Sequence, residues 1–272
     1  MDQHVEVDRA NRRAMASRGA VDHYQGQSLL DPGEAALFDL VAAEASGRPV
    51  LDIGVGGGRT TPALTAISRD YTAIDYTPAM IEVMRQRFPA VRALHLDARQ
   101  MSGFADGAFF LVVFSCAGLD MVGAADRASI LAEVRRVLQP GGAFIFSTHS
   151  WAHRRGQPEH GLASFFAPLP QGGSPLRQLR TLVRSLRAAA VGTLNLRRLR
   201  HLAERHEDWA ILNSHYHDFT TLMHYTTLAA QRVALAQAGF SPGALAFTHE
   251  GRRVGPEEPD TLLLHLLARV PA

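Results

Sequence analysis

Val50-Leu51-Asp52-Ile53-Gly54-Val55-Gly56-Gly57-Gly58-Arg59-Thr60 decides the fold: an apolar strand runs into a glycine loop, and Thr60 to Ser68 then reads as a helix. Gly54, Gly56 and Gly58 lack a Cβ, so at alternate positions they let the chain turn with φ > 0 and bring backbone against a ligand. The free N–H groups at the start of the helix point back at the same ligand.

The spacing of the loop separates it from other nucleotide-binding turns. A dinucleotide fingerprint is G-x-G-x-x-G, with a pyrophosphate on the helix N-terminus. Here the pattern is D-x-G-x-G-x-G, and Asp52 stands two residues before the first glycine. A carboxylate there repels a pyrophosphate but accepts hydrogen bonds, directly or through water, from an ammonium group. The phosphate loop G-x-x-x-x-G-K-[ST] is excluded, because the chain contains no lysine. An NAD-dependent oxidoreductase on the same sheet is the first competing reading, and both the spacing and Asp52 oppose it.

Asp52 to Gly58 resembles the first motif of the class I S-adenosylmethionine (SAM) dependent methyltransferases, and the chain continues the resemblance to about its middle. Tyr71 to Asp75 is a short strand ending in an acid, and Val91 to Leu96 is a third strand followed by Asp97-Ala98-Arg99. Phe109 to Ser115 reads as a buried fourth strand, Cys116-Ala117-Gly118 as a loop, and Ala124 to Leu138 as a helix. Gln139-Pro140-Gly141-Gly142 then breaks the chain before a fifth strand, Ala143 to Thr148.

The resemblance implies a role for each matching residue. Gly54, Gly56 and Gly58 wrap the cofactor and Asp52 accepts from its ammonium group. Asp75 takes both ribose hydroxyls, while Tyr76 and Met80 flank the adenine. Asp97 accepts from the adenine amino group and the Ala98 N–H reaches a ring nitrogen. Ser115 and the loop after it lie beside the methionine part. Arg59 pairs with the methionine carboxylate, with a plain surface arginine as the alternative. Tyr24 closes over SAM, unless it simply packs on a helix. Two departures stand out: Phe109-Phe110 replaces an F-D pair, and Cys116-Ala117 replaces an aromatic and a polar amide, so the acceptor is held differently here.

The implied fold is α/β: a Rossmann-like, seven-stranded, mostly parallel sheet with an antiparallel last strand, helices on both faces and a helical cap insertion. Residues 1–149 supply an N-terminal segment, with helix Pro32 to Ala45, and the SAM-binding half. Residues 150–226 form the cap and acceptor-binding insertion. Residues 227–272 complete the sheet with helix Thr227 to Ala238 and strands Ala244 to His249 and Thr261 to Val270. Alternating strands and helices with short connections dictate parallel strands and right-handed crossovers.

The insertion is the individual part of the chain. Leu176, Leu179, Leu182, Val183 and Leu186 recur at helical spacing beside Arg177, Arg180, Arg184 and Arg187, and no acid occurs between Gln171 and Glu204. Three readings stay open: a solvated amphipathic face, attraction of an anionic or carrier-bound acceptor, and contact with a membrane surface bearing a lipid-like acceptor.

Methyl transfer from a sulfonium needs alignment above all; a hydroxyl acceptor also needs a base, whereas an amine or carboxylate needs only positioning. His149 ends the fifth strand at the carboxyl edge and is the first candidate base. His215 and His217, in the run His215-Tyr216-His217-Asp218, are the second, and Asp120 the third. A metal held by His215, His217 and His224 lacks a cysteine pair or carboxylate motif beside it, so no metal is expected. The expected activity is methyl transfer from SAM to a small-molecule acceptor, oxygen first, releasing S-adenosylhomocysteine (SAH). Nitrogen or carboxyl methylation and a SAM-binding protein that does not methylate are the alternatives.

Composition agrees with a globular α/β protein: 272 residues, 46% hydrophobic and 20% charged, enough for such a sheet. A net charge of +2 does not call for nucleic acid. The polar N-terminus, the lack of a membrane-spanning run and the single cysteine, Cys116, lead us to expect a cytoplasmic protein.

Overall fold

The computed structural model describes residues 3–157, 175–214, 219–255 and 257–272. Helices α1 (Gln3–Met15), α2 (Arg18–Gly26) and α3 (Pro32–Ala45) precede the first strand. Then come β1 (Val50–Ile53), α4 (Thr61–Ile67), β2 (Tyr71–Asp75), α5 (Pro78–Arg87), β3 (Arg92–His95) and β4 (Phe109–Phe114). After a 3₁₀ turn at Gly118–Met121 follow α6 (Ala124–Val137) and β5 (Leu138–Ser150). Proline stands in the first turn of α3, α4 and α5, where its missing N–H costs nothing and its fixed φ suits a helix.

Strands β3, β2, β1, β4 and β5 lie side by side and parallel. On the other edge of β5, β10 (Leu263–Arg269) runs antiparallel, with Leu263 opposite His149 and Arg269 opposite Ala143. Beyond it lies β9 (Leu245–Thr248), also antiparallel. These seven strands are the sheet the sequence leads one to expect, with the last strand inserted antiparallel. The Pro-Gly-Gly break does not end β5: it forms a register shift against β4 between Phe109 and Leu111.

Period-two alternation divides the core between the two faces of the sheet. Val113, Ala143, Ile145 and Leu267 pack with α3, α4 and α5, through Leu37, Phe38, Leu64, Ile81 and Met84. Val112, Phe114, Phe144, Phe146 and Leu266 pack with α6 and α9 (Leu228–Gln237), through Ile130, Val134 and Leu235.

Among the described residues the total is ten strands rather than seven, because the 150–226 segment is not purely helical. After α7 (Trp151–Arg155) and α8 (Pro175–Leu199), β6 (Glu204–Arg205), β7 (Trp209–Ser214) and β8 (Thr221–Thr226) form an antiparallel arm. It joins the sheet where β5 outruns β4: His149 pairs with Tyr225 and Ser150 with Thr226, in parallel. The physical reason is an unpaired edge at the end of β5, which β8 covers. Among the described residues, no helix is long and apolar enough to cross a membrane.

Helix α1 packs Val7 against Ile211 and Leu222 of this arm and is tied to it by the Asn11 side chain. The Asn11 amide donates to Met121 O at 2.6 Å and Leu222 O at 2.7 Å, and accepts from Leu222 N at 2.8 Å. Asn11→Ala leaves these buried backbone groups unpaired, and should lower the unfolding free energy by about 2–4 kcal/mol in urea titrations.

Candidate functional site

The carboxyl ends of β1, β2, β3 and β4 meet around a cavity with about 1080 Å³ of free space, its open mouth included. This is where an open α/β sheet binds ligands, since the crossovers diverge between β1 and β4. Asp75, at the end of β2, stands at its centre. One carboxylate oxygen accepts from Gly56 N at 3.0 Å and the other from Thr77 N at 2.8 Å. Gly56 reaches that position with φ +53°, a left-handed conformation. At Gly57 a Cβ would lie 2.4 Å from the Tyr24 carbonyl, so α2 can close on the loop only because that residue is glycine.

One end of the cavity is lined by Tyr76, Met80, Asp97 and Ala98 together with Asp8, Arg12 and Met15 of α1. The Arg12 guanidinium lies 4.7 Å from the Tyr76 ring centre and 2.5 Å from Asp97. Arg99 also reaches Asp97, at 2.7 Å, and Asp8, at 3.3 Å. Burial pushes the Asp97 carboxyl up, but hydrogen bonds from Arg99 and Arg12 outweigh it and hold the group down at about 2. Nothing in the polar N-terminal sequence marked α1 as a wall of this cavity.

At the other end Arg59 and Ser115 line the wall with Tyr24, Gln27 and Cys116. Arg59 is gripped from behind by Glu34, at 2.5 Å and 3.0 Å through its two terminal nitrogens, and it bonds Ser115 Oγ at 2.6 Å. Ser115 in turn donates to Glu34. Glu34 is almost fully buried, and its charge raises the Arg59 guanidinium against the opposing effect of burial. The sequence marks Glu34 only as the acid of a capping box after Asp31, which says nothing of an ion pair.

Residues 50–142 match the family model described as a methyltransferase domain. Over this stretch, from β1 into β5, the chain is similar to methyltransferases. The chain is 32% identical over 145 residues to the malonyl-[acyl-carrier protein] O-methyltransferase of Serratia marcescens, covering 52% of this chain and 54% of the relative. It is 32% identical over 142 residues to a demethylmenaquinone methyltransferase of Beutenbergia cavernae, covering 51% of this chain and 57% of the relative. The chain thus spans about half the length of the curated relatives it matches. Its whole length superposes on the Burkholderia thailandensis 1,6-didemethyltoxoflavin-N1-methyltransferase, solved with SAH bound, over 92% of that chain (TM-score 0.59, 15% identity), a likeness of fold.

Of the residues expected to hold the cofactor, Gly54, Gly56, Arg59, Asp75, Tyr76, Met80, Asp97, Ala98, Ser115 and Tyr24 line the cavity. Asp52 and Gly58 are placed behind it. Gly58 backs onto Phe88 and Met84. Asp52, fully buried, accepts from Thr60 Oγ1 at 2.6 Å and from the Tyr71 hydroxyl at 2.7 Å, fastening β1 to the neighbouring elements instead of facing an ammonium group.

The proposed bases also differ in place from the expectation. Neither His149 nor Asp120 is among the cavity-lining residues. Asp120 has no exposed surface and accepts from Arg127 at 2.5 Å, Thr148 Oγ1 at 2.7 Å, His149 N at 2.7 Å and His149 Nδ1 at 2.9 Å. Burial raises its carboxyl, but Arg127 and His149 prevail and leave it low, an ionised anchor. His224, beside Trp209, is pushed down to about 3 by burial, so it stays neutral. His215 and His217 lie outside the described residues.

Asp52 has a signature in solution. Burial pushes its carboxyl up to about 6, against the two hydroxyl donors. The folded protein therefore binds this proton more tightly than the unfolded chain, so the contribution is full below the ordinary carboxylate range and is lost as pH rises through about 6. Asp52→Asn keeps an acceptor for both hydroxyls but cannot ionise. It should abolish a decline of about 2–3 kcal/mol between about pH 4 and pH 7, read by thermal unfolding across that range.

Proposed function

We propose that this methyltransferase moves the methyl group of SAM to an oxygen that is already ionised at neutral pH, a small-molecule carboxylate first. An oxygen lone pair attacks the methyl carbon, the carbon–sulfur bond breaks with its electron pair passing to sulfur, and SAH leaves. No proton has to be removed. The observation that carries this reading is the character of the cavity wall. Among the described residues no imidazole lines it, and the lining carboxylates are engaged already: Asp75 by backbone N–H groups, Asp97 and Asp8 by arginines. The rest of the wall is largely apolar, with Met15, Met121, Val122, Ile130 and Met223. Such a lining excludes water and positions a substrate but offers no base.

The name of the Serratia relative, an O-methyltransferase, agrees with an oxygen acceptor, and the N1-methyltransferase fold neighbour keeps nitrogen as the competing reading. Met223 supports an acceptor-binding role for the 150–226 segment, of whose described residues it alone lines the cavity. A reducing, cytoplasmic setting is the reading that a single cysteine, Cys116, supports.

Calorimetry with SAH checks the cofactor site: Asp75→Ala should bind at least about tenfold more weakly than the parent, at the cost of two ribose hydrogen bonds. Methyl-labelled SAM offered with a panel of carboxylic acids, phenols and amines checks the acceptor. Label should pass to carboxylic acids, with a rate that does not climb through the imidazole titration range; transfer to amines alone would overturn the oxygen reading.

A further inference from the structure

Outside the cavity, Asp31 at the start of α3 faces two histidines, His249 just after β9 and His265 within β10. His249 Nδ1 stands 3.6 Å and His265 Nε2 3.7 Å from the same oxygen, Oδ2 of Asp31, and the three atoms lie within 4.8 Å of one another. Both nitrogens are buried without a hydrogen-bond partner. They stop just short of the carboxylate. Four-coordinate zinc with bonds of about 2.0–2.1 Å holds neighbouring ligand atoms about 3.3 Å apart, so two of these gaps are within a few tenths of an ångström of a zinc site.

We propose that Asp31 Oδ2, His249 Nδ1 and His265 Nε2 bind a divalent transition-metal ion, zinc first, with a fourth position open to water. Two imidazoles and one carboxylate are a donor set suited to that ion. The ligands are held by backbone: Gly33 N donates to His249 O at 3.4 Å, and a Cβ on Gly33 would lie 2.3 Å from Thr248 O and 2.7 Å from the His265 ring. An ion here fastens the first turn of α3 to β9 and β10. That turn carries Glu34, which grips Arg59 in the cavity wall.

Tag-free protein loaded with zinc and dialysed against metal-free buffer should retain one zinc per chain by mass spectrometry. His249→Ala and Asp31→Asn, with unchanged circular dichroism, should each retain at least about tenfold less. Cobalt titrated into the unmutated protein should develop visible absorption bands of a low-coordinate site, which zinc then erases. Substoichiometric zinc, equal zinc in the variants, or a flat cobalt spectrum would overturn the site.

A different observation concerns α8, which is built inside out. Its inward positions are small, Ser185, Ala189 and Gly192, while Leu176, Leu179, Val183, Leu186 and Leu194 are 52–65% exposed. At 100° per residue these five fall on one face, and Arg180, Arg184 and Arg187 run along its flank. An ordinary surface helix buries its leucines. From this arrangement we infer that α8 lies in the plane of an anionic membrane surface, its aliphatic side chains in the acyl boundary and its arginines among the phosphates. Charge decides for this occupant, since the helix has no acidic residue.

Co-sedimentation should recover the full chain with vesicles of phosphatidylglycerol and phosphatidylcholine but not with phosphatidylcholine alone. Leu179→Asp combined with Leu186→Asp should weaken binding at least about tenfold while SAH binding persists. Absence from anionic vesicles, equal binding by the variant, a dimer in solution that the variant dissolves, or a complex with an acidic carrier protein in place of vesicle binding would each overturn it.

Discussion

One carboxylate sets the geometry of the carboxyl edge. Asp75 ties the loop after β1 to the turn after β2, through Gly56 N and Thr77 N, and everything around the cavity is fitted to that clasp. The glycine loop must fold back to deliver the Gly56 N–H, which brings Gly57 under Tyr24 and so fixes where α2 rests. Burial raises the Asp75 carboxyl even with both backbone donors in place, so the charge remains incompletely solvated. A ligand that supplies further donors at this point relieves that cost.

Arginine–carboxylate pairs then stiffen the two ends of the cavity, Asp97 with Arg12 and Arg99, and Glu34 with Arg59. A third pair, Asp120 with Arg127, is deeper still and joins the 3₁₀ turn, α6, β5 and, through Gln231, α9. Buried pairs of this kind add little net stability, because desolvation offsets the attraction; removing one partner is what costs heavily. They are better read as devices that hold one arrangement of loops. His149 is drawn into the third pair, which explains why a histidine at the end of a strand is not at the cavity wall.

Local pattern made most of the cavity legible. Strand, glycine loop, helix and a strand ending in an acid follow each other within 26 residues, Val50 to Asp75, and short connections leave the chain few ways to arrange them. Asp75, Tyr76, Met80, Asp97 and Ala98 could therefore be placed from their offsets to strand ends. Asp52 could not: an alternating strand says which residues share a face, but whether a polar side chain at its end turns to a ligand or to Thr60 and Tyr71 depends on neighbours distant in sequence. The wall contributed by α1 and the grip of Glu34 on Arg59 were illegible for the same reason.

The sequence by itself determined the alternation of strands and helices and hence the parallel core, because periodicity and turn chemistry are local and the crossover rule has one hand; the seven strands and the antiparallel last one were what the resemblance to class I methyltransferases implied. Only the tertiary structure decided that β8 extends the sheet from the end of β5, that His149 and Asp120 are anchors behind the cavity, and that Asp31, His249 and His265 converge. Each of these joins residues widely separated along the chain, and such meetings are fixed by packing, which composition and spacing do not encode.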